Sequence, residues 1–346
     1  MARRLAFAIV VLGTGAFAAC SAELIGTATD DLPDGAVGPD AVTPEAGDGG
    51  GDGPAEASPD GGPVVQCTAQ SPLKSITQLS LASEDQKEDR HPTLNEAETE
   101  LFFASDRNVG GRYPTIYRAS RMSPSEPFDV PAPGLPLLQF PQPAVSDSHP
   151  SLAPGGEYLV FSTMRPTTGA FDIWIARRPG TSGPFDSIDP ISGGVNDPTY
   201  EETGPAVDTG AVLWFTRTVP NVNNTDKHQV IYASQPKPGN SGWLAPVEMT
   251  TLNRPDLSTG KPVLSRDRLT LYFATNRDHP GTPGDFDIWV ATRGSTNDAF
   301  TTLAVVVDLQ TDNQEVPGWL SPDGCRLYFD RRTPNGSRVF VATRTP

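Results

Sequence analysis

Two histidines in this chain stand immediately before a proline and two residues after an aspartate: Asp89 with His91, and Asp147 with His149. Imidazole and carboxylate are donor types that zinc accepts, and both histidines occupy the same position in successive copies of a repeat. Lys261 holds that position in another copy, and Glu202 and Glu315 hold the place of the aspartates. Two carboxylates near one channel are also what glycosidic bond cleavage needs as general acid and base. Each feature has a plainer structural reading: acids at strand starts cap turns or pair with arginine, and a repeated histidine beside proline packs a turn. Asp208 is the only carboxylate inside the first-strand runs, and a single one makes no acid and base pair. We therefore expect no metal and no cofactor, and take Asp89, His91, Asp147, His149, Glu202, Lys261 and Glu315 as a candidate binding face. His228 and His279 fall in variable loops and carry no signal. A phosphate-cradling glycine loop, HExxH, GxSxG and paired CxxC are absent from the sequence.

The elements that must position these residues are strands. Five copies of one unit lead with Pro92, Pro150, Pro205, Pro262 and Pro317, at intervals of 55 to 58 residues. In each, a proline-led segment is followed by a turn such as Ser321-Pro322-Asp323-Gly324, an aromatic run such as Leu271-Tyr272-Phe273-Ala274-Thr275, and a second apolar run such as Asp287-Ile288-Trp289-Val290-Ala291. Proline is tolerated at a strand start, and the turn residues supply the required φ values. Aromatic and branched residues on both faces suit a sheet sandwiched between neighbours. With 36 Pro and 33 Gly in 346 residues there is little room for long helices. The period and the turns predict an all-β, five-bladed propeller of four-stranded antiparallel blades over residues 67–346. Recurrent arginines after the second strand, at Arg107, Arg165 and Arg277 with Arg217 and Arg332 near the same place, read as scaffold through an ion pair or a backbone contact between blades. Among the tryptophans, Trp174, Trp214, Trp289 and Trp319 belong on core strand rows, whereas Trp243 fits either a blade anchor or a surface contact.

The start of the chain reads differently. Arg3 and Arg4 precede an apolar run from Leu5 to Phe17 that is too short to span a bilayer, so residues 1–20 read as an export signal. Its end, Ala18-Ala19-Cys20, resembles the lipobox of bacterial lipoproteins, which implies lipidation of Cys20; cleavage after Ala18 is the alternative. Ser21 in place of Asp favours the outer membrane. Residues 21–66 are rich in Gly, Ala, Asp, Pro and Glu with no Lys or Arg, the composition of a disordered tether. With Cys20 lipidated, Cys67 and Cys325 remain as an even pair in an oxidising compartment and are expected to form a disulfide. The run from Pro72 to Leu81 matches the outer strands of other copies, and the last copy lacks one. The start of the propeller is thus expected to complete the last blade and close the ring.

The repeat unit, most clearly Pro317 to Phe329 with Phe171 to Trp174 and Phe286 to Trp289, resembles the Pro-Asp, WD-repeat-like strand motif of TolB-like propellers over residues 91–346. The resemblance implies a propeller in the bacterial cell envelope; it implies no Tol-system role, because TolB has six blades and a separate amino-terminal domain. Without the signal and tether, which hold two of the 26 basic and ten of the 42 acidic residues, the body carries a net charge of −8, and with no basic stripe this argues against nucleic acid. From these features the expected function is a monomeric envelope lipoprotein, tethered to the membrane only by lipid, that binds a protein or glycan over one face of the ring. That face should carry the two histidines and the loops Val219 to Gln229 and Asp278 to Asp285. An enzyme ranks second, as a carbohydrate-active protein of the five-bladed glycoside hydrolase kind using channel carboxylates.

Overall fold

The computed structural model describes residues 66–81, 87–107, 113–130, 145–164, 170–220, 227–240, 242–255, 257–277 and 286–344. The signal, Cys20, nearly all of the tether and the loop of residues 278–285 lie outside the described residues, as do residues 221–226 of the other loop.

The described chain forms five antiparallel sheets around a ring. Blade one has Asp89–Leu94, Glu100–Ser105 and Thr115–Ser120; blade two has Asp147–Leu152, Tyr158–Thr163, Asp172–Arg177 and Ser187–Pro190. Blade three has Glu201–Val207, Leu213–Pro220, Lys227–Ser234 and Val247–Glu248; blade four has Thr259–Leu264, Thr270–Thr275, Asp287–Thr292 and Thr302–Val305. Blade five has Glu315–Leu320, Arg326–Thr333 and Gly336–Arg344, and its outer strand is Leu73–Gln78 from the other end of the domain. That strand pairs antiparallel with the last one, Gln78 opposite Phe340 and Ile76 opposite Ala342. Closure by an amino-terminal outer strand is therefore as the sequence implied. A disulfide between Cys67 and Cys325 fastens the same blade, and closing a loop with a sequence separation of 258 contributes about 5 kcal/mol in the chain-entropy account.

Five buried apolar clusters fill the gaps between blades, one at each junction. Phe102 and Ile116 of blade one meet Leu159 and Phe161 of blade two, and Tyr328 and Val339 of blade five meet Leu101 and Phe103 of blade one. Second strands are buried on both faces because each contributes to two such clusters; Phe103, Phe161, Phe215, Phe273 and Phe329 are all fully buried. Truncating any of these phenylalanines to alanine would cost about 3–5 kcal/mol. Trp243 is also buried, and its Nε1 donates to the Ala211 carbonyl at 2.9 Å, so it anchors a blade.

First strands line the channel, and each carries the same irregularity. The pairing of first and second strands slips by a residue around the proline in all five blades. In four of them the residue before the proline adopts left-handed φ: 56° at His91, 50° at His149, 55° at Gly204 and 56° at Lys261. These are β-bulges, which re-aim a side chain and release a backbone N–H from the ladder. The preceding blade takes up that N–H. His91 N donates to Asp330 Oδ1 at 2.9 Å, Gly204 N to Ser162 Oγ at 3.1 Å, and Lys261 N to Thr216 Oγ1 at 2.9 Å.

Candidate functional site

The strand-start acids point into the blades, away from the channel. Asp89 accepts from Arg107 Nη2 at 2.6 Å, Glu202 from Arg217 Nε at 2.7 Å and Glu315 from Arg331 Nε at 2.8 Å. Each arginine also donates to a carbonyl of the connection arriving from the previous blade: Arg107 to Leu81, Arg217 to Val195 and Arg331 to Leu309. Arg277 reaches Leu252 in the same way. The last-blade partner is Arg331 rather than Arg332, which is exposed. Asp147 is likewise buried, and the repeat-equivalent residue 165 lies outside the described residues. Burial pushes the carboxyls of Glu202 and Glu315 up to about 7, against the pull of their arginines. These residues hold the ring together, so the channel carboxylates on which a glycosidase would draw are not these four. Asp208 is also structural: its Oδ1 accepts from Gly210 N at 2.8 Å and Val212 N at 3.0 Å, and its Oδ2 from Trp214 Nε1 at 3.1 Å.

The bulge residues point the other way. His91, His149 and Lys261 line a cavity of about 460 Å³ at one mouth of the channel, with Arg90, Glu201, Thr203, Gln229 and Gln314 on its wall and Phe171 and Phe286 beside them. Beneath it the prolines 92, 150, 205, 262 and 317 narrow the channel to a space of about 30 Å³. The two imidazoles stack at 3.7 Å between ring centroids and 26° between planes. Ser148 Oγ lies 3.3 Å from His91 Nδ1, whereas His149 Nδ1 is buried without a partner among the described residues. Burial, and then the charge of neighbouring Lys261 and Arg90, holds His91 well below the usual histidine range. His149 is lowered in the same way, by burial first and then by His91, Lys261 and Arg90. The stacked pair is therefore neutral near pH 7.

Lys261 extends across the place where a side chain at position 204 would stand. A Cβ on Gly204 would lie 2.6 Å from Lys261 Cδ, so glycine there clears its path. Its Nζ donates to Thr203 Oγ1 at 3.1 Å, and desolvation lowers its pKa to about 7. Asp330, behind His91, is raised to about 7 by burial, against the His91 N–H and the charges of Arg90 and Lys261. Comparison of the repeats would have found it. The residue after the buried phenylalanine of the second strand is Ala104, Ser162, Thr216, Ala274 and Asp330 in turn, an acid where the others carry a methyl or a hydroxyl. Among the described residues no three His, Cys, Asp or Glu side chains are grouped as a metal site would group them.

No protein-family model matches the sequence, and no curated protein matches it. Solved structures do. A protein described as a glycoside hydrolase superposes with a TM-score of 0.51 at 10% identity, covering 82% of this chain and 93% of its own. A putative glycoside hydrolase from Parabacteroides distasonis gives 0.49 at 10% identity over 84% of this chain and 96% of its own. A glycosyl hydrolase from Bacteroides ovatus gives 0.48 at 10% identity over 85% and 94%. At such an identity the first superposition bears on the fold alone, and agrees with the five-bladed propeller. The first of these descriptions nevertheless corrects two expectations. A module that only binds a protein or glycan, and the ranking of an enzyme behind it, both give way, because a solved protein of this architecture is described as a glycoside hydrolase. The TolB-like resemblance stands only as a resemblance to a propeller.

Proposed function

We propose that this chain is a carbohydrate-active enzyme of the glycoside-hydrolase kind, working at the mouth of the channel bounded by His91, His149 and Lys261. The observation that carries the reading is the cavity itself. It is walled by hydrogen-bonding side chains suited to sugar hydroxyls, has two phenylalanines against which a sugar ring can lie, and is backed by groups that titrate near neutrality. Glycoside hydrolysis pairs one carboxyl that is protonated near neutral pH with one that is ionised. In this reading Glu201 on the cavity wall is one carboxyl, and Asp330, raised to about 7 by burial, acts from behind His91, whose backbone N–H it accepts. The fold shared with a protein described as a glycoside hydrolase supports the assignment. We place the enzyme in the bacterial envelope, exported by residues 1–20, anchored at Cys20 and held off the membrane by residues 21–66, with a glycan as its partner. Kinship with TolB-like propellers is proposed through the Pro-Asp repeat alone.

The test is release of reducing ends from a panel of plant, algal and bacterial polysaccharides, with Glu201→Gln and Asp330→Asn as controls. Each substitution should lower kcat/KM by about 10²-fold or more, with the blades still folded. Absence of product from every polysaccharide, or variants as active as the parent, overturns the proposal.

A further inference from the structure

Lys261 occupies its position against three structural costs. Its backbone is left-handed, which a side chain other than glycine adopts only under strain. Its ammonium has been taken out of water. It also needs the neighbouring blade to give up a side chain at Gly204. Glycine serves the same bulge in blade three, so the fold does not require lysine here. The ammonium forms one hydrogen bond, to Thr203, and no ion pair among the described residues. An ammonium has three donors, and a buried charge is ordinarily paired.

Arg90 lines the same cavity, its guanidinium shared with Glu88 and partly open to solvent. His149 Nδ1 stands unpartnered beside them among the described residues. A cavity wall with two cations, Lys261 and Arg90, against the one carboxyl of Glu201, and with spare polar atoms, is complementary to a negatively charged ligand. Its neutral hydrogen bonders and phenylalanines speak for a polyhydroxylated one.

We infer that the cavity takes an acidic saccharide, a glycan carrying uronic acid, whose carboxylate is held by Lys261 Nζ and the Arg90 guanidinium while the sugar ring lies against Phe171 or Phe286. The inference rests on the carbohydrate reading of this cavity and adds the charge of the substrate. The carboxylate supplies the counter-ion that Lys261 lacks among the described residues, and the charge-assisted bonds it makes are the strong kind.

Calorimetric binding to the whole chain at pH 6.5 and low salt tests this with trisaccharides of galacturonic, glucuronic and mannuronic acid. Each is measured beside its carboxyl-reduced, neutral counterpart, with tri-aspartate as an anion that is not a sugar. At least one acidic trisaccharide should bind 10-fold or more tightly than its neutral counterpart and than tri-aspartate, and Lys261→Met should abolish the preference. Should Lys261→Met fail to fold, the half-exposed Arg90→Gln must reduce it. Equal binding of acidic and neutral forms, equal binding of tri-aspartate, or a preference that survives both substitutions overturns the inference. Release of reducing ends from neutral glycans without such a preference overturns it while leaving the glycosidase reading intact. Acidic trisaccharides that bind selectively but are not cleaved, in a chain that cleaves no polysaccharide, overturn the glycosidase reading and leave the inference standing. Binding of no saccharide overturns both.

Discussion

Two rings of side chains lie two residues apart along the same five strands and have opposite fates. At the outer ring, Asp89, Glu202 and Glu315 each meet an arginine of their own blade and vanish into the scaffold. At the inner ring the residue is histidine in blades one and two, glycine in blade three and lysine in blade four, and all four face a common space. Residue type at the first ring is dictated by a partner inside each blade. At the second the shared feature is a backbone conformation, which leaves the side chain free to vary. Chemistry is therefore to be sought where the repeats share a bend and not a residue.

The largest effect that tests this contrast is expected at the scaffold ring. Glu202→Ala leaves Arg217 buried beside an empty place and should lower stability by about 3–5 kcal/mol, read from urea unfolding; a loss below about 1 kcal/mol would place Glu202 outside the scaffold. Asp330 comes next, because it is buried behind the inner ring and accepts from the His91 N–H. Its folded pKa, about 7, lies above its unfolded value, so its protonated form stabilises the fold at low pH and that contribution is lost as pH rises towards 7. The groups acting on it are the His91 N–H, Arg90, Lys261 and Glu88. The stability of the parent minus that of Asp330→Asn should fall by about 2–4 kcal/mol between about pH 4 and pH 7.5; a constant difference would show that Asp330 has the same pKa folded and unfolded.

At the inner ring itself smaller changes are expected. His149→Ala removes the stack with His91 and no hydrogen bond at Nδ1 among the described residues, so it should cost only about 1 kcal/mol. Lys261→Gly relieves a left-handed side chain and a desolvated charge, and stability should hold or rise by about 1 kcal/mol, measured by thermal and urea unfolding. A substantial loss at either position would make the inner ring scaffold too and erase the contrast.

Placing Asp89 with His91, and Asp147 with His149, on one face fails for a definite reason. In a regular strand residues i and i+2 share a face, so the spacing implied a common front of carboxylates and imidazoles. The bulge gives the histidine itself a positive φ and turns its side chain into the channel while the aspartate stays in the blade. Nothing in the Asp-x-His-Pro pattern announces a left-handed residue other than glycine; Gly204 at the equivalent position was the available sign. Asp330 lies on a second strand, outside the first-strand runs that line the channel, although its departure from Ala, Ser and Thr in the other copies is plain in the sequence.

By itself the sequence determined the five blades, the closure by residues 73–78 and the Cys67 to Cys325 link, because all three follow from local pattern: a repeated proline, apolar residues on both faces, a missing outer strand and an even cysteine count. Only the tertiary structure decided which polar residues meet. The neighbours of Lys261 are Thr203, Gly204 and Asp330, drawn from two other blades, and its lack of a counter-ion among the described residues is a property of that meeting. Such contacts depend on where the ring brings separate strands together and on a bulge that reverses a side chain, and neither is encoded in the spacing along any one strand.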